Sequence, residues 1–263
     1  VTEKRLEAFR ILKSARIGQI DVTVVEDARQ MGRFVGERIA AAIRRSPAMV
    51  LGLCTGGTPI PVYDHLVHLV AERRLSFAAV KTFNLDEYYP MAPADHHSYR
   101  YFMDRHLFDF IDLDRRNIFL PSGTGPDPHA SAARYEELIR EAGGIDLQLA
   151  GLGHNTHVGF NEPPCDPSSR TRLVTLSAGT RSANARFFKT LDDVPRTSIT
   201  MGLGTILEAR SIILCASGRG KAEAVRAALC GPISPAAPGS YLQQHANTAA
   251  VFDREAASLL ELA

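Results

Sequence analysis

The sequence has no surplus of charge: 30 Lys and Arg stand against 29 Asp and Glu, a net charge of +1. Bulk composition therefore gives no support to a nucleic-acid or membrane-surface partner, and any anion site must come from local placement. Paired cysteines are missing too. Cys54, Cys165, Cys215 and Cys230 lie far apart with no Cys-x-x-Cys step. That argues against a zinc site or a disulfide framework and for free thiols in a reducing cytoplasm. No apolar stretch approaches the ~20 residues that span a bilayer. The opening residues, Val1 to Glu7, are charged from the start, unlike a targeting segment. Internal repeats and low-complexity tracts are absent.

What is present is an ordinary globular composition, 45% hydrophobic and 22% charged over 263 residues. A chain of this size buries roughly three quarters of its unfolded surface without help from metals or disulfides. Short apolar runs at 48–53, 79–83, 118–120, 145–150, 211–216 and 248–252 read as strands. Amphipathic stretches at 27–45, 59–73, 98–109, 130–142 and 219–229 read as helices, with another expected at 253–261. In 130–142, Ala133, Leu138 and Ile139 are expected to share the buried face. Strands alternating with helices imply an α/β fold, a mostly parallel sheet with helices on both faces. The Pro- and Gly-rich stretches 121–128 and 231–239 are too short to link domains, so residues 1–263 are expected to form one domain.

Ligands bind such sheets beyond the carboxyl ends of the strands, which directs attention to the polar residues found there. Thr55, Gly56, Gly57 and Thr58 follow one strand and precede a helix, with Pro59 at its start. Glycines let the backbone approach a ligand, and a helix N-terminus favours phosphate. The competing reading is an ordinary turn with Thr58 as the helix cap. The Lys-Ser/Thr ending of a P-loop is missing. Asp86 and Glu87 follow a second strand; an extended backbone sends neighbours to opposite sides, so one carboxylate can face a crevice as a general base while the other is structural. A solvated acidic turn is the plainer alternative. After the strand ending at Ala150 comes a loop holding His154, Asn155, Thr156, His157, Asn161 and Glu162. Glu162 is expected to meet His157 across a turn, orient it and raise its pKa. The pair His154 and His157 lacks a clear third ligand, so no metal is expected. His65, His68, His96 and His97 read as surface residues. Arg181, Arg186 and Lys221 add cations, Lys221 at the start of a helix. Together these residues suit acid–base chemistry on a small phosphorylated metabolite.

The stretches 51–59, 82–88, 153–163, 169–172, 183–188 and 220–222, in that order, resemble the glucosamine-6-phosphate deaminase (isomerase) family over about residues 50–230. The resemblance implies a Rossmann-like fold and conversion of glucosamine 6-phosphate and water to fructose 6-phosphate and ammonia, with no cofactor. It assigns Asp86 as the base moving the C2 proton to C1. It makes His157 the ring-opening acid–base, positioned and tuned by Asn155 and Glu162. Thr55, Gly56, Gly57, Thr58, Arg186 and Lys221 become the phosphate site, and residues 176–195 a lid. The implied partner is a small amino-sugar phosphate, with neither nucleic acid nor membrane, in the cytoplasm; self-association is compatible with it. Many members carry Asp-Gly-His where this chain has Asn155-Thr156-His157. Asn155 brings no charge to the histidine. Thr156 would be strained by roughly 1–3 kcal/mol if its position needs positive φ. The alternatives are galactosamine-6-phosphate deamination, a 6-phosphogluconolactonase, and a non-catalytic sugar-phosphate sensor.

Overall fold

The computed structural model describes residues 10–262. The charged opening segment lies outside them. Strands β1 (Ile11–Ile17) and β2 (Ile20–Val25) make an antiparallel hairpin whose turn uses Gly18 at φ +55°. There follow α1 (Ala28–Arg45), β3 (Val50–Leu53), α2 (Ile60–Ala71), β4 (Lys81–Asn84), β5 (Asp86–Tyr89), α3 (Tyr99–His106), β6 (Ile118–Phe119) and α4 (Pro128–Glu141). The chain continues through β7 (Leu147–Gly151), β8 (Arg172–Thr175), α5 (Ala178–Asn184), β9 (Thr197–Thr200), α6 (Leu203–Leu207), β10 (Ile212–Ala216), α7 (Ala222–Cys230) and β11 (Thr248–Asp253).

Eight strands form one sheet in the order β1-β2-β11-β10-β7-β3-β4-β6, parallel throughout except for the β1–β2 hairpin. The arrangement is α/β and Rossmann-like. Every residue of β3 and β10 is buried, as expected of strands covered on both faces. Helix α1 buries Met31, Val35, Ile39 and Ile43 on one stripe, and Asp27 caps it by accepting from Gln30 N–H. It packs closely on α2. A Cβ at Gly36 would sit 2.8 Å from the His65 ring, so this glycine makes room for the histidine. His65 is therefore buried, bonded to Glu37 Oε1 at 3.0 Å, and corrects the surface expectation; His68 is exposed.

A second, three-stranded antiparallel sheet, β5-β9-β8, was not anticipated. Its strands are four residues each and mix polar with apolar side chains, so no alternation stood out. Two other expectations change. No helix forms over 253–261: Asp253 ends β11, and its carboxylate accepts from Ala256 N–H, drawing the chain into turns. In α4 the buried residues are Ala132, Tyr135 and Ile139, with Ala133 exposed, because Tyr135 reaches in to donate to the Asn84 carbonyl at 2.6 Å. The four cysteines are free. Among the described residues no helix is long and apolar enough to cross a membrane.

Candidate active site

The carboxyl ends of β3, β4, β7 and β10 open on a cavity of about 650 Å³, roofed by the segment joining β8 to β9. Thr55, Gly56, Gly57, Thr58, Asp86, His157, Arg186 and Lys221 all line it. Asn155 and Glu162 stand behind His157 rather than on the wall.

The turn after β3 needs glycine. Gly56 has φ +102°, and Cβ atoms at Gly56 or Gly57 would project into open space. Thr58 does not cap α2; the preceding residue is Pro59, and no side chain caps the helix. The first N–H groups of the helix therefore have no side-chain cap, and they face the cavity side of the turn. Lys221, also on the cavity wall, is half-buried just before α7. Burial, then the Arg186 charge, lowers its pKa. Neither cation has an acidic partner within 4.0 Å among the described residues, and the exposed Arg186 guanidinium lies 4.7 Å from the Phe187 ring. Asp253, missed by sequence reasoning, and His154, singled out there only as a possible metal ligand, fix the Lys221 loop. Both oxygens of Asp253 accept from Gly218 N–H at 2.9 and 3.0 Å, and His154 Nδ1 donates to the Gly220 carbonyl at 2.9 Å. These contacts span 35 and 66 residues, beyond any local signal.

Asp86 and Glu87 divide as alternation predicts. Glu87 is structural: its carboxylate accepts from Ser98 Oγ at 2.8 Å and from the N–H groups of Tyr88, Tyr99 and Arg100 at 2.8, 3.0 and 3.0 Å. Asp86 is buried but borders the cavity. Desolvation, with the nearby Glu87 charge second, pushes its pKa up to about 8. Gly159, at φ +60°, lies opposite; a Cβ there would come within 3.4 Å of Asp86 Oδ2.

The His157 ring lies over Gly153, where any Cβ would fall 2.2 Å from it. Its Nδ1 meets Asn155 Oδ1 at 2.5 Å, and Asn155 Nδ2 faces Glu162 Oε1 at 3.4 Å. Because the amide oxygen only accepts, Nδ1 carries the proton and Nε2 is free to accept one. The expected direct His157–Glu162 contact is replaced by this Asn155 bridge. Glu162 accepts instead from Ser177 N–H, Ser177 Oγ and Thr180 Oγ1 at 2.8, 2.7 and 2.5 Å. The expected rise in the His157 pKa is also corrected: it is lowered to about 4, chiefly by burial and then by Lys221 and His154, despite Glu162. Thr156 adopts a left-handed conformation, φ +66°, which meets the condition for strain stated above, with its carbonyl held by Gly239 N–H at 2.8 Å.

The roof docks on aromatic residues. Asn184 Nδ2 donates to Tyr88 Oη at 3.0 Å, and Phe188 stacks on His97, ring centroids 4.2 Å apart at 7°. His97 is thus half-buried at the cavity wall, which corrects its surface assignment; His96 beside it is exposed as expected.

A sequence model of the family described as glucosamine-6-phosphate isomerases/6-phosphogluconolactonase matches residues 24–251. A glucosamine-6-phosphate deaminase of Rhodopirellula baltica is 49% identical over 245 residues, 93% of this chain and 98% of the relative. The solved structure of a monomeric glucosamine-6-phosphate deaminase superposes with a TM-score of 0.89 at 42% identity, covering 91% of this chain and 99% of the other. A 6-phosphogluconolactonase from Trypanosoma cruzi shares the fold, with a TM-score of 0.71 at 18% identity, covering 94% and 99%.

Proposed function

Because the chain belongs to the glucosamine-6-phosphate isomerase/6-phosphogluconolactonase family, we propose that it is an enzyme converting glucosamine 6-phosphate and water to fructose 6-phosphate and ammonia. The observation that carries this reading is one cavity with a phosphate cradle at one side and two proton-transfer groups, Asp86 and His157, on its walls. The substrate phosphate sits against the turn at 55–58, met by Lys221 and Arg186, two cations that repel each other until an anion arrives. Neutral His157 takes the anomeric hydroxyl proton on Nε2 and returns one to the ring oxygen, which opens the pyranose. A carboxylate held at a pKa of about 8 is a stronger base than an exposed one. Once C1 is an aldehyde the C2 proton is acidic, and Asp86 carries it to C1. The enolamine becomes a ketimine, and water displaces ammonia. Asn155 keeps the His157 tautomer, and Glu162 ties this loop to the start of the roof. The roof, residues 176–195, acts as a lid that brings Arg186 onto the phosphate.

The experiment is ammonia release from glucosamine 6-phosphate, with galactosamine 6-phosphate alongside and 6-phosphogluconolactone hydrolysis as a third arm. Ammonia from the glucosamine substrate is expected. Lactone hydrolysis without ammonia release would overturn the reading.

A further inference from the structure

The turn before α3 carries Asp95, His96 and His97, whose ligand atoms all lie within 4.8 Å of one another. Among the described residues no other group of three His, Cys, Asp or Glu side chains does this. The turn is fixed by its backbone. Ser98 N–H donates to the Asp95 carbonyl at 2.9 Å, and Asp95 Oδ1 accepts from His97 N–H at 2.9 Å. Ser98 then caps α3, and Glu87 holds the next two N–H groups, so the segment is anchored on its buried side. On the outer side the Nδ1 atoms of His97 and His96 approach the same Asp95 Oδ1, at 3.0 and 3.7 Å. Zinc bonds of about 2.0–2.2 Å in a tetrahedron place neighbouring ligand atoms roughly 3.3 Å apart, so these distances bracket a coordination edge.

We propose that Asp95, His96 and His97 form a binding site for a borderline divalent metal of the Zn²⁺ class at the mouth of the cavity, coupled to the roof through the His97–Phe188 stack. Two imidazoles and one carboxylate suit zinc, nickel or copper better than magnesium or calcium. The donor set is incomplete, leaving at least one position for water or a ligand in the cavity, which His96 and His97 both line. His97 is 17% exposed and His96 69%, so occupation would immobilise an exposed ring and hold a ring that already supports the roof. Phe188 also packs edge-on against Tyr88, centroids 5.9 Å apart, so a fixed His97 would stabilise the roof in this docked position. No step of the proposed deamination uses this site.

The test is isothermal titration of the full chain, free of any polyhistidine tag, with zinc chloride and, separately, magnesium chloride. Zinc is expected to bind at one site per chain. Its Kd should rise at least about tenfold in His96→Ala and in Asp95→Ala, and stay unchanged in Cys230→Ser, which removes the exposed thiol. Magnesium is expected to give no saturable binding. Zinc binding that survives His96→Ala intact, or is lost in Cys230→Ser, overturns the site, as does no binding tighter than about 1 mM. Because Asp95 also holds the turn, His96→Ala is the decisive variant. Hydrogen exchange over residues 185–190 should slow when zinc binds; unchanged exchange overturns the coupling. Neither readout depends on which sugar phosphate the cavity takes.

Discussion

Two structures face each other across the cavity. On one side the turn at 55–58, the loop at 153–157 and the loop at 218–221 follow β3, β7 and β10, strands whose side chains sit in the main core. On the other, the three-stranded sheet and the roof share a core of three buried side chains, Tyr88, Phe160 and Leu176, and leave Phe187 and Leu191 exposed. The first side is clamped by long-range bonds such as Asp253 to Gly218. The roof is tied at its start by Glu162 and otherwise touches down through a few rings and one amide. The electrostatics differ as well. Asp86, from the small sheet, is pushed toward its neutral form by burial, and so is His157, from the large sheet, but the two pKa values move in opposite directions, to about 8 and about 4. A carboxylate and an imidazole that both resist charge are suited to passing protons rather than binding ions.

The largest effect is expected at Asp86. Asp86→Asn should lower turnover by at least about 10²-fold with little change in substrate affinity, since the amide fills the same space but cannot take the C2 proton. Solvent-deuterium incorporation into the product reports the step; near-normal turnover would remove Asp86 from the role proposed for it. The same variant sharpens the electrostatic contrast. As pH rises from about 4 to about 8, the unfolded Asp86 ionises near 3.8 while the folded one keeps its proton, so the protein loses stability across that window. Asp86→Asn removes this loss, and its melting temperature should gain on the parent's between pH 5 and pH 8. His157 works in the other window: its folded pKa of about 4 against 6.5 unfolded takes stability away as pH falls from 6.5 to 4.

Next come the two cations, one on each side. Lys221→Ala should raise KM by roughly 10- to 100-fold, because the charge-assisted bond to phosphate proposed for it would form in a half-buried site. Arg186→Ala, on the exposed roof, should cost less than about tenfold. Equal losses would mean that the roof is as well seated as the rim. Hydrogen exchange without ligand should be faster over 176–195 than in β7, and substrate should narrow the gap; equal protection would dissolve the distinction. The smallest effect is at Thr156. Thr156→Gly should raise stability by about 1 kcal/mol, measured by denaturant unfolding, because it removes a strained left-handed conformation and a buried hydroxyl that lacks a partner.

Much of the large sheet was legible because its strands announce themselves as short apolar runs. Where the runs end, the polar residues fall at the cavity without further information. The small sheet was not, since Arg172–Thr175 and Thr197–Thr200 are too short and too polar for a period to emerge. His65 and His97 look like any surface histidine until Gly36 makes room for one ring and Phe188 stacks on the other.

The sequence by itself determined the α/β order, the glycine turn after β3, and the rule that Asp86 and Glu87 must point apart, because strand and helix periods are local properties of the backbone. Which of the two carboxylates faces the cavity was decided by tertiary structure, through the Ser98, Tyr99 and Arg100 groups that claim Glu87. So was the sign of the His157 shift. A glutamate five residues away suggests a raised pKa, but desolvation by the folded surroundings outweighs it, and Asn155 takes the place of the direct contact. A charge's cost depends on everything packed around it, and most of that comes from residues far away in the chain.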